Sequence, residues 1–386
     1  MTCAARPTLS APRIAIAGAG IIGLSCALEL ARRGATITLY DPNTPGRGAS
    51  WAAAGMIAPA FEAASEPGVH PKLFDLCLES ARLWPGFAAR LEADSGKPVG
   101  YAPGPSLAVA ADPATARHLD GILDTLAKRG LPGDRLDVDA ARVIEPSLSP
   151  DLLGALRLET DGHVNNRAVV SALLDLCERH PSITLEPTPA PLHSRGSTLD
   201  SDGHDLILVT AGWQSGALKV TEHGQQVSLV NWDSSLDEID TYGGQMLSVE
   251  RRADHPATTL RAGPIYMVPR GSELVIGATM EPGRTDGMPN TDDIAGLLSD
   301  AAQIVPSLAD AHITSTWSGV RPGTPDFAPF LGRTRQPNMF VAAGHYRNGI
   351  LLTPITAKII ADQMLGAEPG DLASAFTPSR ALPAQA

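Results

Sequence analysis

The sequence predicts an α/β fold that also contains a large antiparallel β portion. The α/β part is indicated by a short apolar run at 14–17, which leads through glycines into a segment with helical spacing and then into a second apolar run at 37–40. Such runs are typical of strands buried on both faces of a parallel sheet. The antiparallel part is indicated by three segments with strand-like alternation: GGQMLSVE, PIYMVPR and ELVIGATME.

Length and charge limit the classes of protein to consider. The chain has 386 residues, which is enough for two domains with a sizeable core. Hydrophobic residues make up 43% and charged residues 19%, as in ordinary globular proteins. The net charge of −12 argues against a nucleic-acid partner or an anionic membrane surface, and an anionic substrate would need a local positive site.

The cysteines and the start of the chain point to a cytoplasmic protein. Neither structural zinc nor a disulfide framework is expected, because the cysteines lie far apart without a CxxC pair. Arg6 is not followed by a long apolar region with a cleavage site, and the run at 14–17 is short, so neither a signal peptide nor a membrane span is predicted. The cysteines are Cys3, Cys26, Cys77 and Cys177.

A glycine motif connects the first predicted strand to the first helix. Gly18 permits a tight turn, Gly20 lets a pyrophosphate approach the backbone, and Gly23 lets the helix pack closely on the strand. The free N–H groups and positive dipole end of the helix hold phosphates. Asp41, which follows the second strand, is placed to bind a ribose hydroxyl and disfavours NADP. The pattern predicts a dinucleotide site but does not separate NAD from FAD.

The segment after the second strand, PNTPGRGASWAAAGMIAP, favours a flavin. An NAD-binding domain would continue into further βα units, whereas here a loop of glycine, alanine and serine runs through 46–55. Small residues allow the backbone to approach a flat ring system closely. A flexible linker is the alternative, which Trp51 and Met56 disfavour.

Two stretches carry a family resemblance. GAGIIGLSCALELARRG with GASWAAAGMIAP resembles the FAD-dependent amino-acid oxidases of the D-amino-acid oxidase superfamily, most closely the glycine oxidase branch associated with thiamine biosynthesis. The resemblance implies a glutathione-reductase-like, Rossmann-like FAD-binding domain and a D-amino-acid-oxidase-like substrate domain. It implies non-covalent FAD, since no cysteine or histidine stands at a recognised covalent anchor. The expected boundaries are 1–75, 145–218 and 318–386 for the FAD-binding domain, and 76–144 and 219–317 for the substrate domain.

The resemblance also implies a set of cofactor-binding residues. In the family the small-residue loop lies along the isoalloxazine ring, the strand in 206–218 runs beside the cofactor, and GHYRNGILLTP matches a second motif at the flavin edge. The implied residues are Gly18, Gly20, Ile22, Gly23, Asp41, Ala49, Ser50, Ala54, Gly55, Met56, Ala211, Gly212, Gly344, Tyr346, Arg347, Asn348, Gly349 and Ile350.

Arg321 and Arg347 are candidates for substrate binding. Both lie in glycine-rich, otherwise apolar settings, and an arginine fork matches a carboxylate bidentately. Taken alone, such an arginine could equally cap backbone carbonyls or pair with Asp326. GVRPGTPD is similar to the family motif whose arginine binds the substrate carboxylate, which implies that role for Arg321, and GHYRNG implies a pocket position for Arg347.

The resemblance supplies three further site residues. Tyr266 matches the tyrosine whose hydroxyl helps bind the carboxylate, and Met280 matches a pocket-lining methionine, although either residue type could simply pack in a core. His345 suggests a general base, because histidine titrates near neutral pH. The resemblance instead implies hydride transfer from the α-carbon of a neutral amino acid without a protein base. His345 is therefore interpreted as structural or at the flavin edge, and catalysis as orientation by Arg321 and Tyr266.

The predicted activity is oxidation of a small amino acid (glycine, sarcosine or a D-amino acid) to an imine, which water hydrolyses to the 2-oxo acid and ammonia or an amine. Molecular oxygen reoxidises the flavin and yields hydrogen peroxide. One alternative is a dehydrogenase that oxidises an amino or 2-hydroxy acid and passes electrons to a quinone or a protein. Another is a non-catalytic flavin-binding interaction protein. No nucleic-acid or membrane partner is expected, and a homo-oligomer is compatible with the sequence.

The remaining segments carry weaker expectations. Helices are predicted at 71–91, at 119–129 and from near Asn166, and a strand pair is predicted near 101–111. The turn residues Asp161, Gly162 and Asn165 are interpreted as structural.

Three segments late in the chain complete the expectations. The polar segment 222–240 predicts an insertion or a loosely packed loop, and 368–386 predicts a peripheral or frayed tail. The residues Thr353–Pro354 resemble a helix start, but the family resemblance implies that the last helix begins earlier, near Gly349, with Pro354 kinking its first turns, and the earlier start is the expectation.

Overall fold

The computed structural model describes residues 11–65 and 68–381, so Cys3 and Arg6 lie outside the described residues. In this part of the chain the α-helices are α1 (Ile21–Arg32), α2 (Ala49–Ala52), α3 (Pro59–Ser65), α4 (Leu73–Ser95), α5 (Pro113–Lys128), α6 (Val138–Ile144), α7 (Asn166–Arg179), α8 (Thr291–Ile304), α9 (Thr353–Met364) and α10 (Asp371–Ser374). The strands are β1 (Arg13–Ala17), β2 (Thr36–Tyr40), β3 (Met56–Ile57), β4 (Ser106–Ala110), β5 (Asp134–Leu136), β6 (Gly154–Leu158), β7 (Gly162–His163), β8 (Ile183–Glu186), β9 (Leu192–Arg195), β10 (Thr198–Asp200), β11 (Leu206–Val209), β12 (Lys219–Glu222), β13 (Gln225–Ser228), β14 (Asp240–Glu250), β15 (Leu260–Ala262), β16 (Ile265–Arg270), β17 (Glu273–Gly277), β18 (Glu281–Pro282), β19 (Ile313–Gly323), β20 (Phe330–Arg333) and β21 (Met339–Ala343).

The first layer of the fold is a six-stranded sheet in the order β20-β21-β11-β1-β2-β8. Strand β1 pairs in parallel with β2 on one side and β11 on the other, and only the edge strand β20 runs antiparallel, to β21. The predicted strand–helix–strand unit is confirmed. Because the carboxyl ends of parallel strands meet at one edge of the sheet, the turns after β1, β2 and β11 come together there.

Two glycines of the first turn are required by the packing. Gly18 has φ +111°, which a side chain would strain. A Cβ on Gly23 would lie 1.9 Å from the carbonyl oxygen of Gly18, so only glycine lets α1 pack this closely on the end of β1.

The second layer is a large, mostly antiparallel sheet of nine strands in the order β18-β14-β17-β16-β15-β4-β6-β5, with β19 also paired to β14. This confirms the predicted antiparallel sheet, although β15 pairs with β4 in parallel. Helix α8 covers one face and shares a buried apolar cluster with strands β14, β16 and β17. Strands β14 and β19 pair along most of their length, which places Arg321 opposite Tyr242.

The sheets draw on separate parts of the chain. The parallel sheet uses strands from 13–40, 183–209 and 330–343, and the large sheet uses strands from 106–158, 240–282 and 313–323. Strands β12 and β13 join β9 and β10 in a small four-stranded sheet. The division into an FAD-binding and a substrate domain at the boundaries given above stays a prediction.

The predicted helices in the middle of the chain are confirmed as α4, α5 and α7. Helix α7 is capped by Asn165, whose Oδ1 accepts a hydrogen bond from the Ala168 amide. The predicted strand pair near 101–111 is wrong, because β4 is the strand described there and Ala102 forms only an isolated bridge with His163. None of the described helices is long and apolar enough to cross a membrane.

The segment 222–240 is not a loosely packed loop. Strands β12 and β13 form a hairpin, and 3-10 turns follow at Leu229–Asn231 and Ser234–Glu238. Leu229 and Leu236 are buried in a cluster shared with the parallel sheet. These few apolar residues have no regular spacing, so the sequence did not show that they pack.

The tail is also packed as far as it is described, so the expectation of a frayed tail is wrong there. Phe376 is fully buried, and its carbonyl accepts a hydrogen bond from the Leu331 amide at 2.7 Å. Arg380 pairs with Asp326 at 2.9 Å.

The last helix also differs from the expectation. Helix α9 begins at Thr353, not near Gly349, and Pro354 lies in its first turn, where its missing N–H costs nothing. A short 3-10 turn at Tyr346–Asn348 precedes it.

Candidate active site

A cleft of ≈ 1590 Å³ runs from the turns after β1, β2 and β11 to the face of the large sheet at β14, β16 and β19. It brings together most of the residues predicted to bind a cofactor. Those that line it are Gly18, Gly20, Ile22, Asp41, Ala49, Ser50, Ala54, Gly55, Met56, Ala211, Gly212, Tyr346, Arg347, Gly349 and Ile350.

Two side chains hold the glycine turn, which forms one end of the cleft. The carboxylate of Asp41 accepts a hydrogen bond from the Ala19 amide at 2.8 Å, and the hydroxyl of Ser50 accepts one from the Ile21 amide at 2.9 Å. A Cβ on Gly48 or Gly212 would meet no atom within 4 Å, so both glycines border open space. Small residues around an open slot that leads from a glycine turn fit an extended dinucleotide.

The small-residue loop is fixed from behind. Asn166 Nδ2 donates to the carbonyl of Ser50 at 2.7 Å, and Trp317 Nε1 donates to the carbonyl of Ala52 at 2.9 Å. The guanidinium of Arg167 lies 3.6 Å from the ring centroid of Trp51, a cation–π distance. The loop is therefore an ordered wall of the cleft and not a flexible linker.

Arg321 lies at the far end of the cleft on β19. Its Nη1 donates to the carbonyl of Gly243 at 3.2 Å and to that of Thr279 at 3.4 Å. The sequence left open whether Arg321 caps backbone carbonyls or binds a substrate. Its guanidinium does bind two carbonyls, and it also lines the cleft. The predicted alternative of a pair with Asp326 does not apply, because Asp326 pairs with Arg380.

The other predicted substrate residues also line the cleft. The Tyr266 hydroxyl donates to Met246 Sδ at 3.3 Å, and Met280 is 39% exposed, so Met280 is not a core residue. His345 is buried, with Nε2 3.1 Å from Thr356 Oγ1. Burial lowers the pKa of His345 to about 3, which leaves the imidazole neutral and a weak base at physiological pH.

Three of the predicted cofactor residues do not line the cleft. Gly23 packs against the Gly18 carbonyl, and Gly344 occupies a positive-φ turn (φ +79°) beside Thr324. Asn348 is the last residue of the 3-10 turn and is 4% exposed. Direct contact of these residues with a cofactor stays a prediction.

Sequence reasoning missed a buried carboxylate in the cleft. Glu62 lines the cleft, is 5% exposed and forms an ion pair with Arg261, which is 3% exposed. Glu62 Oε2 also lies 3.5 Å from Arg347 Nε. Burial by itself raises the pKa of Glu62, but the charges of Arg261, Arg347 and Arg321 outweigh it and lower the pKa. The signal in the sequence was the single acid within the otherwise apolar run 56–64.

The helix that carries Glu62 is held by another buried carboxylate. Asp161 is fully buried and accepts hydrogen bonds from the amides of Ala60 and Phe61 at 2.9 Å and 3.0 Å, which caps the start of α3. This agrees with the structural role expected for Asp161. Burial raises the pKa of Asp161 from 3.8 to about 6, against the lowering effect of the two amides and Arg261.

A pH dependence of stability follows from Asp161. Since the folded protein holds this proton more tightly than the unfolded chain, the group contributes stability below about pH 4 that is lost as the pH rises through about 6. The loss is about 3 kcal/mol. We therefore expect the free energy of unfolding of Asp161→Asn, relative to that of the parent, to rise by about 3 kcal/mol between pH 4 and pH 7. Denaturant unfolding across this pH range measures it. A difference that does not change with pH would contradict the buried proton.

No group of three or more metal-ligating side chains occurs among residues 11–65 and 68–381. The described cysteines, Cys26, Cys77 and Cys177, are buried and unpaired.

Comparison with known proteins gives consistent matches over nearly the whole chain. The family described as DAO, FAD dependent oxidoreductase, matches residues 13–363. A glycine oxidase of Geobacillus kaustophilus is 32% identical over 358 residues, covering 90% of this chain and 92% of that protein. A bifunctional protein ThiO/ThiG of a Synechocystis species is 32% identical over 396 residues, covering 96% of this chain and 54% of that protein.

A solved structure shows the same fold. The crystal structure of glycine oxidase from Geobacillus kaustophilus superposes with a TM-score of 0.84 at 30% identity, covering 96% of this chain and 100% of that chain.

Proposed function

This chain belongs to the DAO family of FAD dependent oxidoreductases, and from that premise we propose that it oxidises a small amino acid such as glycine, sarcosine or a D-amino acid. The enzyme is an FAD-dependent amino-acid oxidase whose products are the 2-oxo acid, ammonia or an amine, and hydrogen peroxide. The observation that carries the substrate class is Arg321, a guanidinium anchored at the end of the same cleft that begins at the glycine turn.

The residues of the cleft fit FAD along its length. The turn at Gly18 and Gly20 with Asp41 would hold the pyrophosphate and a ribose, and the loop at 49–56 with Ala211 and Gly212 would lie along the ring. FAD bound there would supply an acceptor for a hydride equivalent from the substrate and a route for the electrons to oxygen. The absence of a positioned cysteine or histidine anchor from the sequence supports non-covalent binding.

We assign binding and orientation to the chain's own residues. The fork of Arg321 takes the substrate carboxylate bidentately, and the hydroxyl of Tyr266 adds a hydrogen bond by turning from Met246. Fixing the carboxylate places the α-carbon in the cleft, so that the contribution of the protein is orientation. His345 needs no proton transfer in this scheme, which agrees with its neutral, buried imidazole. The amino acid loses a hydride from the α-carbon and a proton from the amine to water, which leaves the imine. Water then hydrolyses the imine, and neither step uses a protein base.

Because the protein has a negative net charge, binding of a carboxylate substrate depends on the positive side chains of the cleft. The protein carries −12 overall, which disfavours an anionic substrate at long range. Arg321 and Arg347 both line the cleft and supply positive charge at short range. Glu62 pairs with both Arg261 and Arg347, so its single negative charge offsets only part of this positive charge. A zwitterionic small amino acid, whose net charge is zero, meets the least long-range repulsion.

A peroxide-coupled panel tests this proposal. The FAD-loaded protein is mixed with glycine, sarcosine, D-alanine and D-proline in oxygen-saturated buffer, and peroxide and 2-oxo acid are measured. We expect equal amounts of the two products from at least one substrate. Rapid reduction of an artificial dye with negligible peroxide would show a dehydrogenase instead. Anaerobic mixing that bleaches the flavin with none of the four would overturn the amino-acid assignment.

A further inference from the structure

A buried amide lies behind the substrate end of the cleft. Gln245 on β14 is fully buried and does not line the cleft. Its Nε2 donates to Glu281 Oε1 at 2.8 Å and to Asp293 Oδ2 at 2.6 Å. Its Oε1 accepts a hydrogen bond from the Asn290 amide. One side chain thus connects β14 to β18 and to the start of α8.

The same residue fixes Thr279 through its backbone. The Gln245 amide donates to Thr279 Oγ1 at 2.9 Å, and the Thr279 amide donates to the Gln245 carbonyl at 3.3 Å. Thr279 Oγ1 in turn donates to Glu281, the carboxylate that the Gln245 side chain binds. Thr279 is therefore held directly by the main chain of residue 245, and through Glu281 by the side chain of Gln245.

This network ends on Arg321. Every hydrogen bond that Arg321 makes to the chain as described uses Nη1, and its two oxygen acceptors are the carbonyls of Thr279 and Gly243. Thr279 is held by Gln245, and Gly243 lies two residues before Gln245 on β14. A Cβ on Gly244 would lie 2.2 Å from Arg321 Nη1, so the backbone of β14 lies directly against the guanidinium.

The charges explain why an amide occupies this position. Glu281 and Asp293 both accept hydrogen bonds from Gln245, and Glu281 also pairs with Arg284. A neutral double donor at the buried position 245 binds two carboxylates at once, of which Glu281 is partly exposed and Asp293 is exposed, whereas a carboxylate there would add a third negative charge. An apolar side chain would leave both acceptors without this donor.

We propose that Gln245 is a positioning residue for substrate binding, which holds the carbonyls of Thr279 and Gly243 so that the remaining nitrogens of Arg321 face the substrate carboxylate. This inference rests on the proposed function of Arg321 as the carboxylate site. It predicts a larger effect on carboxylate affinity than on the oxidation step, because Gln245 does not line the cleft and acts through Arg321, whose fork binds the carboxylate.

The test compares Gln245→Met with Gln363→Met in the FAD-loaded protein. Gln363 is a second buried glutamine (8% exposed), on α9, and its side-chain Nε2 has no hydrogen-bond partner within the described residues. We measure KM and kcat for glycine, and the Kd of acetate, an unreactive carboxylate, from the change in flavin absorption. For Gln245→Met we expect KM and Kd to rise together by about tenfold with kcat within about twofold of the parent. For Gln363→Met we expect KM and Kd to stay the same as in the parent.

The outcomes separate this inference from the proposed function. Unchanged KM and Kd in folded, FAD-loaded Gln245→Met would overturn the positioning role, as would an equal rise in Gln363→Met. If Gln245→Met does not fold, Glu281→Gln removes one carboxylate of the network, and an unchanged acetate Kd in that variant would overturn the role. If the parent oxidises no amino acid, the proposed function fails, while the acetate titration still shows whether Gln245 controls carboxylate binding.

Discussion

Replacing Arg321 with alanine is expected to lower kcat/KM for amino-acid substrates by about 30-fold to 1000-fold, mainly by raising KM. A bidentate arginine–carboxylate contact is charge-assisted on both sides, and truncating one partner leaves the substrate carboxylate desolvated in the cleft without its counter-charge. FAD should remain bound, because the glycine turn and the small-residue loop do not include Arg321. The measurement is steady-state kinetics with glycine and sarcosine, together with the flavin absorption spectrum.

Two further variants make the Arg321 experiment specific. Arg321→Lys keeps the positive charge but loses the planar fork, so its KM should lie between the parent and Arg321→Ala. Arg82→Ala removes an arginine from an exposed ion pair with Glu79 and should change neither KM nor kcat. Unaltered kinetics in Arg321→Ala would show that the carboxylate binds elsewhere.

Replacing Glu62 with leucine is expected to lower the free energy of unfolding by about 3–5 kcal/mol. The substitution leaves the guanidinium of Arg261, which is 3% exposed, buried without its ion-pair partner. Desolvation of a lone charge costs far more than the pair gains in stability, so the double variant Glu62→Leu/Arg261→Met should recover most of the loss. Denaturant unfolding of the parent, both single variants and the double variant completes the cycle.

The pH dependence of the Glu62 effect has a definite sign. The pKa of Glu62 is lowered in the folded protein, so its stabilising contribution is present above its ordinary pKa of 4.5 and is lost as the pH falls through the lower, folded value. The exposed acid Glu79, which pairs with Arg82, is the matched control, and Glu79→Leu should cost at most about 1 kcal/mol. Equal losses from Glu62→Leu and Glu79→Leu would contradict the account of a buried pair.

Features that depend on neighbours in the sequence could be predicted. The strand–turn–helix–strand unit followed from apolar runs, three glycines and a terminal acid, and the structure confirms it as β1, α1 and β2. Helix α7, from near Asn166, and the strands β14, β16 and β17 were likewise predicted, whereas the Asn165 cap of α7 was found only in the structure. Each is decided by periodicity or by a local hydrogen bond, which a short stretch of sequence contains in full.

The errors at 222–240 and in the tail have a common physical cause. The segment 222–240 and the tail contain few apolar residues without regular spacing, yet Leu229 and Phe376 are buried against strands that are distant in the chain. The helix start was misplaced for a different reason: the family resemblance was preferred to the Thr353–Pro354 pattern, which marks the observed start of α9. Burial against a remote surface leaves no periodic pattern in the segment itself.

The sequence by itself determined the glycine turn, the order of its strands and helix, and, through motifs matched to a known family, the candidates Arg321, Tyr266 and Arg347. Only the tertiary structure decided which groups surround them. Glu62 and Arg261 form their buried pair across 199 residues, and Gln245 reaches Asp293 across 48. Whether a carboxylate is ionised or an arginine is anchored depends on burial and on charges within a few ångströms, and the fold sets these by bringing together residues that lie far apart in the chain.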